Sequence, residues 1–150
     1  MTNIWGIGLP RTGTTSLAEA LTLLGFKTSH HCKLQNGDSY LSDILEQAMD
    51  NDAVVNNHLY EFYQRVYDLE AMDGKIGLYV LTYRLDKYVS DNLKYMAETY
   101  SFFEERGSTD HLLLLDTKAN EREKWRKLSG FLGMDAPTHS FPHLNKGLGI

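Results

Sequence analysis

Residues 4–17 read IWGIGLPRTGTTSL. The run is apolar, then glycine-rich, then hydroxyl-rich, then helical. This is the order of a buried strand that hands the chain to an anion-binding turn at a helix N-terminus. Backbone N–H groups converge in such a turn, and the helix end adds partial positive charge. Gly8 and Gly13 have the GxxxxG spacing of a phosphate-binding loop, with hydroxyl residues following. The lysine that usually follows the second glycine is missing, and Thr14 stands there. That lysine reaches the β- and γ-phosphates of a nucleoside triphosphate, and a threonine cannot. The loop's cation is Arg11, whose planar guanidinium offers two parallel hydrogen bonds to an oxyanion.

Working outward, Ile4–Gly8 reads as a short strand and Thr14 or Thr15 as the cap of the next helix. The helix places Leu17, Leu21 and Leu24 on one face and stops at Gly25. Phe26–Ser29, Asp52–Asn56, Ile76–Tyr83 and His111–Asp116 read as further strands. Helical stripes fall at Leu41–Met49, Tyr60–Met72 and Glu121–Leu132. Val89, Leu93, Met96, Tyr100 and Phe103 form another stripe, stepping by four and three. Strands alternating with helices predict an α/β fold: a three-layer sandwich around a mostly parallel sheet of about five strands, like that of P-loop NTPases. Residues 1–150 read as a single domain. Ligands in such folds bind beyond the carboxyl ends of the strands. This rule gathers Pro10–Ser16, Asn57, His58, Arg84, Asp116 and Thr117 on one rim.

Composition narrows the function. A chain of 150 residues with 42% hydrophobic residues can bury a substantial core. The net charge of −5 argues against a nucleic-acid partner, which wants a basic face. The one cysteine excludes an internal disulfide framework. No apolar run approaches the ~20 residues of a membrane span. No basic-then-apolar leader opens the sequence, so the expected setting is cytoplasmic. His30, His31 and Cys32 are adjacent metal-ligand types, but neighbours in sequence rarely converge on one ion, and no metal site is expected.

Three phrases resemble one family. GLPRTGTTSL (8–17) resembles the 5′-phosphosulfate loop of sulfotransferases that use 3′-phosphoadenosine 5′-phosphosulfate (PAPS), in a branch with arginine where the best-known members carry lysine. KIGLYVLTYR (75–84) is similar to the family's strand ending in an arginine that binds the 3′-phosphate. WRKLSGFLGMDAPTHSFPHLNKG (125–147) looks like the C-terminal phrase of the same branch. The order is right, and the first and last matches are the specific ones.

The resemblance implies sulfuryl transfer from PAPS to a hydroxyl or amine, leaving adenosine 3′,5′-bisphosphate, with no metal required. It implies that Pro10, Arg11, Thr12, Gly13, Thr14, Thr15 and Ser16 hold the 5′-phosphosulfate, with Arg11 neutralising charge on the leaving phosphate. It implies Arg84 and Ser90 at the 3′-phosphate, although the two stand six positions apart, closer than the family's usual spacing of eight. Lys146 and Gly147 match the closing basic-glycine element, with Asn145 replacing its arginine. Asn57-His58-Leu59 resembles the phrase that carries the family's base, so His58 is the expected base and Glu61 its rival. The acceptor, a small molecule or glycan, is expected between 33–57 and 60–74. The short chain also leaves room for a homo-oligomer in which a partner chain completes that pocket.

Two other readings stand beside this one. A P-loop nucleotide kinase or NTPase would use Asp116, at the end of HLLLLD, to hold Mg²⁺. A catalytically inactive module would keep the nucleotide site without the base.

Overall fold

The computed structural model describes residues 3–30 and 40–143. In chain order they form β1 (Ile4–Gly6), α1 (Thr14–Leu23), β2 (Thr28–Ser29), α2 (Tyr40–Met49), β3 (Ala53–Val55), α3 (Leu59–Asp73), β4 (Leu78–Tyr83), α4 (Val89–Glu105), β5 (Leu112–Asp116) and α5 (Glu121–Leu132). A single 3₁₀ turn, Thr109–His111, leads into β5. The five strands make one sheet in the order β2-β3-β1-β4-β5, with every pairing parallel.

Side-chain alternation along the strands sorts the core into two layers. Trp5, Ile7, Val54, Tyr79 and Leu81 face α2, α3 and α4, where Ile44, Tyr63, Val66, Tyr67, Phe102 and Phe103 fill the space. Ile4, Ala53, Val55 and Val80 face the other way, onto Leu17 and Leu21 of α1 and Trp125 and Leu128 of α5. The fold is therefore a helix–sheet–helix sandwich, as the alternating elements predict. Its strands are apolar on both faces because both faces are covered.

All five strands are shorter than expected. β1 ends at Gly6, β2 begins at Thr28, β3 runs only Ala53–Val55, β4 begins at Leu78 and β5 begins at Leu112. The expected stripe on α4 is also displaced. Val89, Leu93 and Tyr100 are exposed, and the buried face runs through Asn92, Tyr95, Thr99, Phe102 and Phe103. Periodicity of apolar residues misses this because two polar members of the buried face are satisfied there. Asn92 Nδ2 donates to the carbonyls of Lys87 and Tyr88 at 3.2 and 2.9 Å. Tyr95 donates its hydroxyl to the Ile7 carbonyl at 2.5 Å. A buried polar group with its bonds made costs little, so the helix turns to seat Phe102 and Phe103 among the tyrosine rings. Tyr63 and Phe103 stack at 6.3 Å, and Tyr67 meets both phenylalanines edge-on at 5.3 and 5.5 Å.

Candidate functional site

The chain leaves β1 at the centre of the sheet, between β3 and β4. It first adds strands on one side (β2, β3) and later on the other (β4, β5). β1 is thus the topological switch point, where a crevice opens beyond the strand ends. The loop from Gly8 to Gly13 fills that crevice. It passes so close to β4 that a Cβ on Gly8 would lie 2.0 Å from the Thr82 hydroxyl. Thr12 donates its hydroxyl to the Leu9 carbonyl at 2.6 Å, so the Thr82 hydroxyl, 2.8 Å away, is the donor between those two. Thr117, just past β5, donates to the Thr12 carbonyl at 2.8 Å.

Gly13 is the N-cap of α1, at φ 97°, and a Cβ there would meet Thr117 Cγ2 at 2.5 Å. Neither Thr14 nor Thr15 caps the helix, contrary to the sequence expectation; both lie in its first turn. The turn needs a left-handed residue pressed against Thr117, and only glycine meets both demands. The threonine hydroxyls reach sideways instead. Thr14 donates to Asn57 Oδ1 at 2.9 Å, and Thr15 Oγ1 lies 3.0 Å from His30 Nε2. The buried Thr12 and Thr14, the half-buried Thr15 and the buried Ser16 thus surround the N-terminus of α1. The first-turn amides there have no partner within a helix's own ladder.

Arg11 and Tyr88 are the two non-glycine residues with positive φ among the described residues, at 64° and 53°. Both line one cavity of about 470 Å³, with Leu9 and Pro10 on the loop side. Tyr60 and Tyr95 form its aromatic wall, edge-on at 6.2 Å, and Asp91, Lys94 and Glu98 of α4 line its outer part. The cavity lies between the loop, the start of α3 and the first half of α4. Among the described residues, the acceptor region expected from the sequence shares only Tyr60 with it.

Arg84 follows β4 and clamps Asp86 with two hydrogen bonds, 3.0 and 2.8 Å. The guanidinium holds the Asp86 carboxyl down at a pKa of about 2 and is itself pushed up by the same bonds. Ser90 is exposed in the first turn of α4. Asn92, eight positions after Arg84, accepts from the Arg84 backbone N–H at 3.3 Å and so joins the end of β4 to α4.

His58 is the N-cap residue of α3, just past β3. Its backbone N–H donates to Asn56 Oδ1 at 2.8 Å, and its Nδ1 lies 3.7 Å from Glu61 Oε2. The expected base and its rival are therefore neighbours on one helical turn. Asp116 accepts from the Lys118 backbone N–H at 2.9 Å, at the end of a strand separated from β1 by β4.

Two contributors were not legible as site residues. Lys124 of α5 is 1% exposed; its ammonium donates to the Thr117 carbonyl at 3.3 Å and lies over the Phe141 ring at 4.6 Å. Burial pushes its pKa down. Phe141 also packs on Trp125 at 4.8 Å, and Trp125 Nε1 donates to the His139 carbonyl at 2.8 Å. The C-terminal phrase is thus pinned to α5 as far as His143, beside the segment after β5 that touches Gly13. The burial of a lysine carries no sequence signal of its own, although Lys124 stands one turn before the inward Leu128 on α5. His30 is the second, visible in the sequence only as part of a metal-like cluster. Lys146, Gly147, His31 and Cys32 lie outside the described residues.

Residues 3–76 match the family model of the sulfotransferase domain. Over those residues, just under half of its length, the chain is similar to the sulfotransferase family. The matched span carries Pro10–Ser16 and His58, while Arg84 and Ser90 lie beyond it. No curated protein matches the chain. The chemistry of a sulfotransferase domain is sulfuryl transfer, and the crevice at the end of β1 is where its loop sits. Among the described residues no helix is long and apolar enough to cross a membrane, and no three His, Cys, Asp or Glu side chains group as metal ligands.

Proposed function

We propose that this sulfotransferase domain takes its sulfuryl group from PAPS and passes it to a hydroxyl or amine entering through the cavity beside Arg11. One observation carries the reading. A left-handed glycine turn leads into the start of α1 beside an arginine of positive φ, with no lysine after the second glycine, and this supports an anion site unlike that of a triphosphate loop. The residues fit a phosphosulfate: first-turn amides and hydroxyls for the 5′-phosphate, and a guanidinium at the cavity edge for the bridging oxygen.

In this reading Pro10 to Ser16 hold the 5′-end, and Arg84 with Ser90 hold the 3′-phosphate, joined by Lys146 and Gly147. His58 takes the proton from the attacking acceptor. The acceptor's oxygen or nitrogen bonds to sulfur as the bond to the 5′-phosphate oxygen breaks, and Arg11 meets the charge left on that phosphate. Adenosine 3′,5′-bisphosphate departs. No metal is needed where a guanidinium and backbone donors meet the charge. The tyrosine wall supports an acceptor with a ring or apolar face, a small molecule or a glycan unit. The carboxylates of Asp91 and Glu98 favour one without negative charge. A cytoplasmic setting is part of the same proposal; no described helix is long and apolar enough to cross a membrane.

Thermal melting tests the donor. A ligand that binds only the native state raises its melting temperature by mass action. Adenosine 3′,5′-bisphosphate is expected to raise it in the presence of EDTA. A rise with Mg-ATP alone overturns the reading in favour of a kinase or NTPase. A rise with the bisphosphate but no transfer to any acceptor overturns the enzyme reading and leaves a nucleotide-binding module.

A further inference from the structure

Thr117, the first residue past β5, meets the anion turn with both ends of its side chain. Its methyl group packs where Gly13 has no side chain: a Cβ there would lie 2.5 Å from Thr117 Cγ2. Its hydroxyl donates to the Thr12 carbonyl at 2.8 Å, with the Tyr83 carbonyl a longer second acceptor at 3.1 Å. The Thr12–Gly13 peptide is trans, so its carbonyl and its N–H point in opposite directions. Turning the carbonyl toward Thr117 therefore turns the Gly13 N–H away from it. Gly13 is the N-cap of α1, and an N–H at that place has no partner in the helix ladder. Thr12 is fixed from its side chain as well. Its hydroxyl is tied to the Leu9 carbonyl at 2.6 Å and to the Thr82 hydroxyl at 2.8 Å.

Thr117 is held in its turn by α5. Lys124 donates from Nζ to the Thr117 carbonyl at 3.3 Å. Among the described residues it is the one charged side chain that is buried, at 1% exposed. Taking an ammonium out of water is costly, and an apolar residue of similar volume could seat a helix on the sheet at lower cost. What the ammonium gains here is the bond to the Thr117 carbonyl and the face of the Phe141 ring at 4.6 Å. We propose that Thr117, held by Lys124, is a positioning residue for the 5′ anion: it turns the Thr12–Gly13 peptide so that the Gly13 N–H is presented to that anion. This rests on the reading of the loop as an anion site, but not on the identity of the nucleotide.

The test is calorimetry and backbone-assigned amide NMR of the full chain, with inorganic pyrophosphate and with adenosine 3′,5′-bisphosphate. In the wild type either anion is expected to shift the Gly13 amide resonance. Thr117→Val keeps a methyl group against Gly13 and removes the hydroxyl. It should lower affinity for both anions about tenfold, the equivalent of one well-placed hydrogen bond, and shrink the Gly13 shift. Thr117→Ser keeps the hydroxyl and should stay within about threefold of the wild type. Lys124→Met should lower affinity about threefold alone and add little to Thr117→Val, because it acts through the same hydroxyl. A Gly13 amide unmoved by a bound anion overturns the proposal, as does wild-type affinity in Thr117→Val. The amide spectrum reports whether each variant is folded. If Thr117→Val is not, wild-type affinity in Lys124→Met overturns the proposal instead. Pyrophosphate that binds and moves Gly13, without bisphosphate binding, upholds Thr117 while the PAPS reading fails. If neither anion binds, both fail.

Discussion

Arg11 and Tyr88 line the same cavity, and both hold a left-handed backbone that no other described non-glycine residue adopts. Such a conformation costs a side-chain-bearing residue about 1–2 kcal/mol. Two instances at one cavity mark where the fold has accepted strain, a pattern typical of binding sites. Arg11→Gly relieves that strain but adds about 0.5–1 kcal/mol of unfolded-chain entropy. The melting temperature is therefore expected to stay within about 3 °C of the wild type, while affinity for adenosine 3′,5′-bisphosphate, read by calorimetry, falls about tenfold or more. Undiminished affinity would remove the guanidinium from the site.

Gly13→Ala separates backbone cost from contact cost. At φ 97° the new Cβ also meets Thr117 Cγ2 at 2.5 Å, so the loop or the segment after β5 must move. Gly25 has φ 100° with nothing within 4 Å of its virtual Cβ. Gly25→Ala should cost about 1–2 kcal/mol in denaturant unfolding, the backbone part alone. Gly13→Ala should cost about 1–3 kcal/mol more and abolish the melting shift with bisphosphate. Equal costs would mean that Thr117 does not brace the loop.

The fold was legible because its determinants are local or periodic. The apolar strand runs gave β1, β3, β4 and β5, and the loop phrase placed the switch point. Boundaries slipped where apolar residues continue past the pairing, as at Ile7 after β1 and Ile76 before β4. The wrong face of α4 came from counting only apolar residues. Asn92 and Tyr95 are buried because of bonds to the carbonyls of Lys87, Tyr88 and Ile7, which no sequence period encodes. At the site, Arg11, Thr12, Gly13 and Thr14 were legible as a contiguous phrase. His30 and Lys124 were not, because each matters through a residue distant in sequence, Thr15 for one and Thr117 for the other. The position of the cavity depends on where α4 leans, which no sequence period encodes; of the segments 33–57 and 60–74, only Tyr60 lines it among the described residues.

Asp86 competes with any phosphate for Arg84. Its bidentate hold neutralises the guanidinium, so Asp86→Asn is expected to raise bisphosphate affinity several-fold, and Arg84→Ala to lower it about tenfold or more. The pH sign is fixed by the direction of the shift. The Asp86 carboxyl is depressed to about 2, so the pair is intact above the ordinary aspartate range and is lost only as pH falls through about 2. Affinity for the bisphosphate should therefore show no Asp86-dependent change between pH 5 and 8. Isothermal titration of wild type and Asp86→Asn across that range checks this: a constant affinity ratio is expected, and a ratio that drifts with pH would contradict it.

Charge on α4 should sort acceptors. Asp91 and Glu98 outnumber Lys94 among the α4 residues that line the cavity. Neutral or amine-bearing acceptors should react with lower KM than matched carboxylated or sulfated ones. The double variant Asp91→Asn, Glu98→Gln should narrow that difference about tenfold while leaving bisphosphate affinity unchanged. A preference that survives the double variant would place acceptor selection elsewhere. Competition assays between paired neutral and anionic acceptors give the ratio of kcat/KM directly.

The base is the residue that separates an enzyme from a binding module. His58 stands at the start of α3 with its Nδ1 3.7 Å from Glu61 Oε2, so the carboxylate can orient the ring and offset charge when the ring takes a proton. His58→Ala removes the proton acceptor without touching the loop. It should leave the melting shift with adenosine 3′,5′-bisphosphate intact and lower kcat about 10²–10⁴-fold. Glu61→Gln keeps a polar partner for the ring and should cost about tenfold or less. If Glu61 is instead the base, the order reverses, with Glu61→Gln the more damaging. Because an ionisable base must lose its proton to act, the acidic limb of the kcat profile belongs to whichever residue is used. That limb should disappear in the variant lacking it and persist in the other, which assigns the role even if both substitutions slow the reaction.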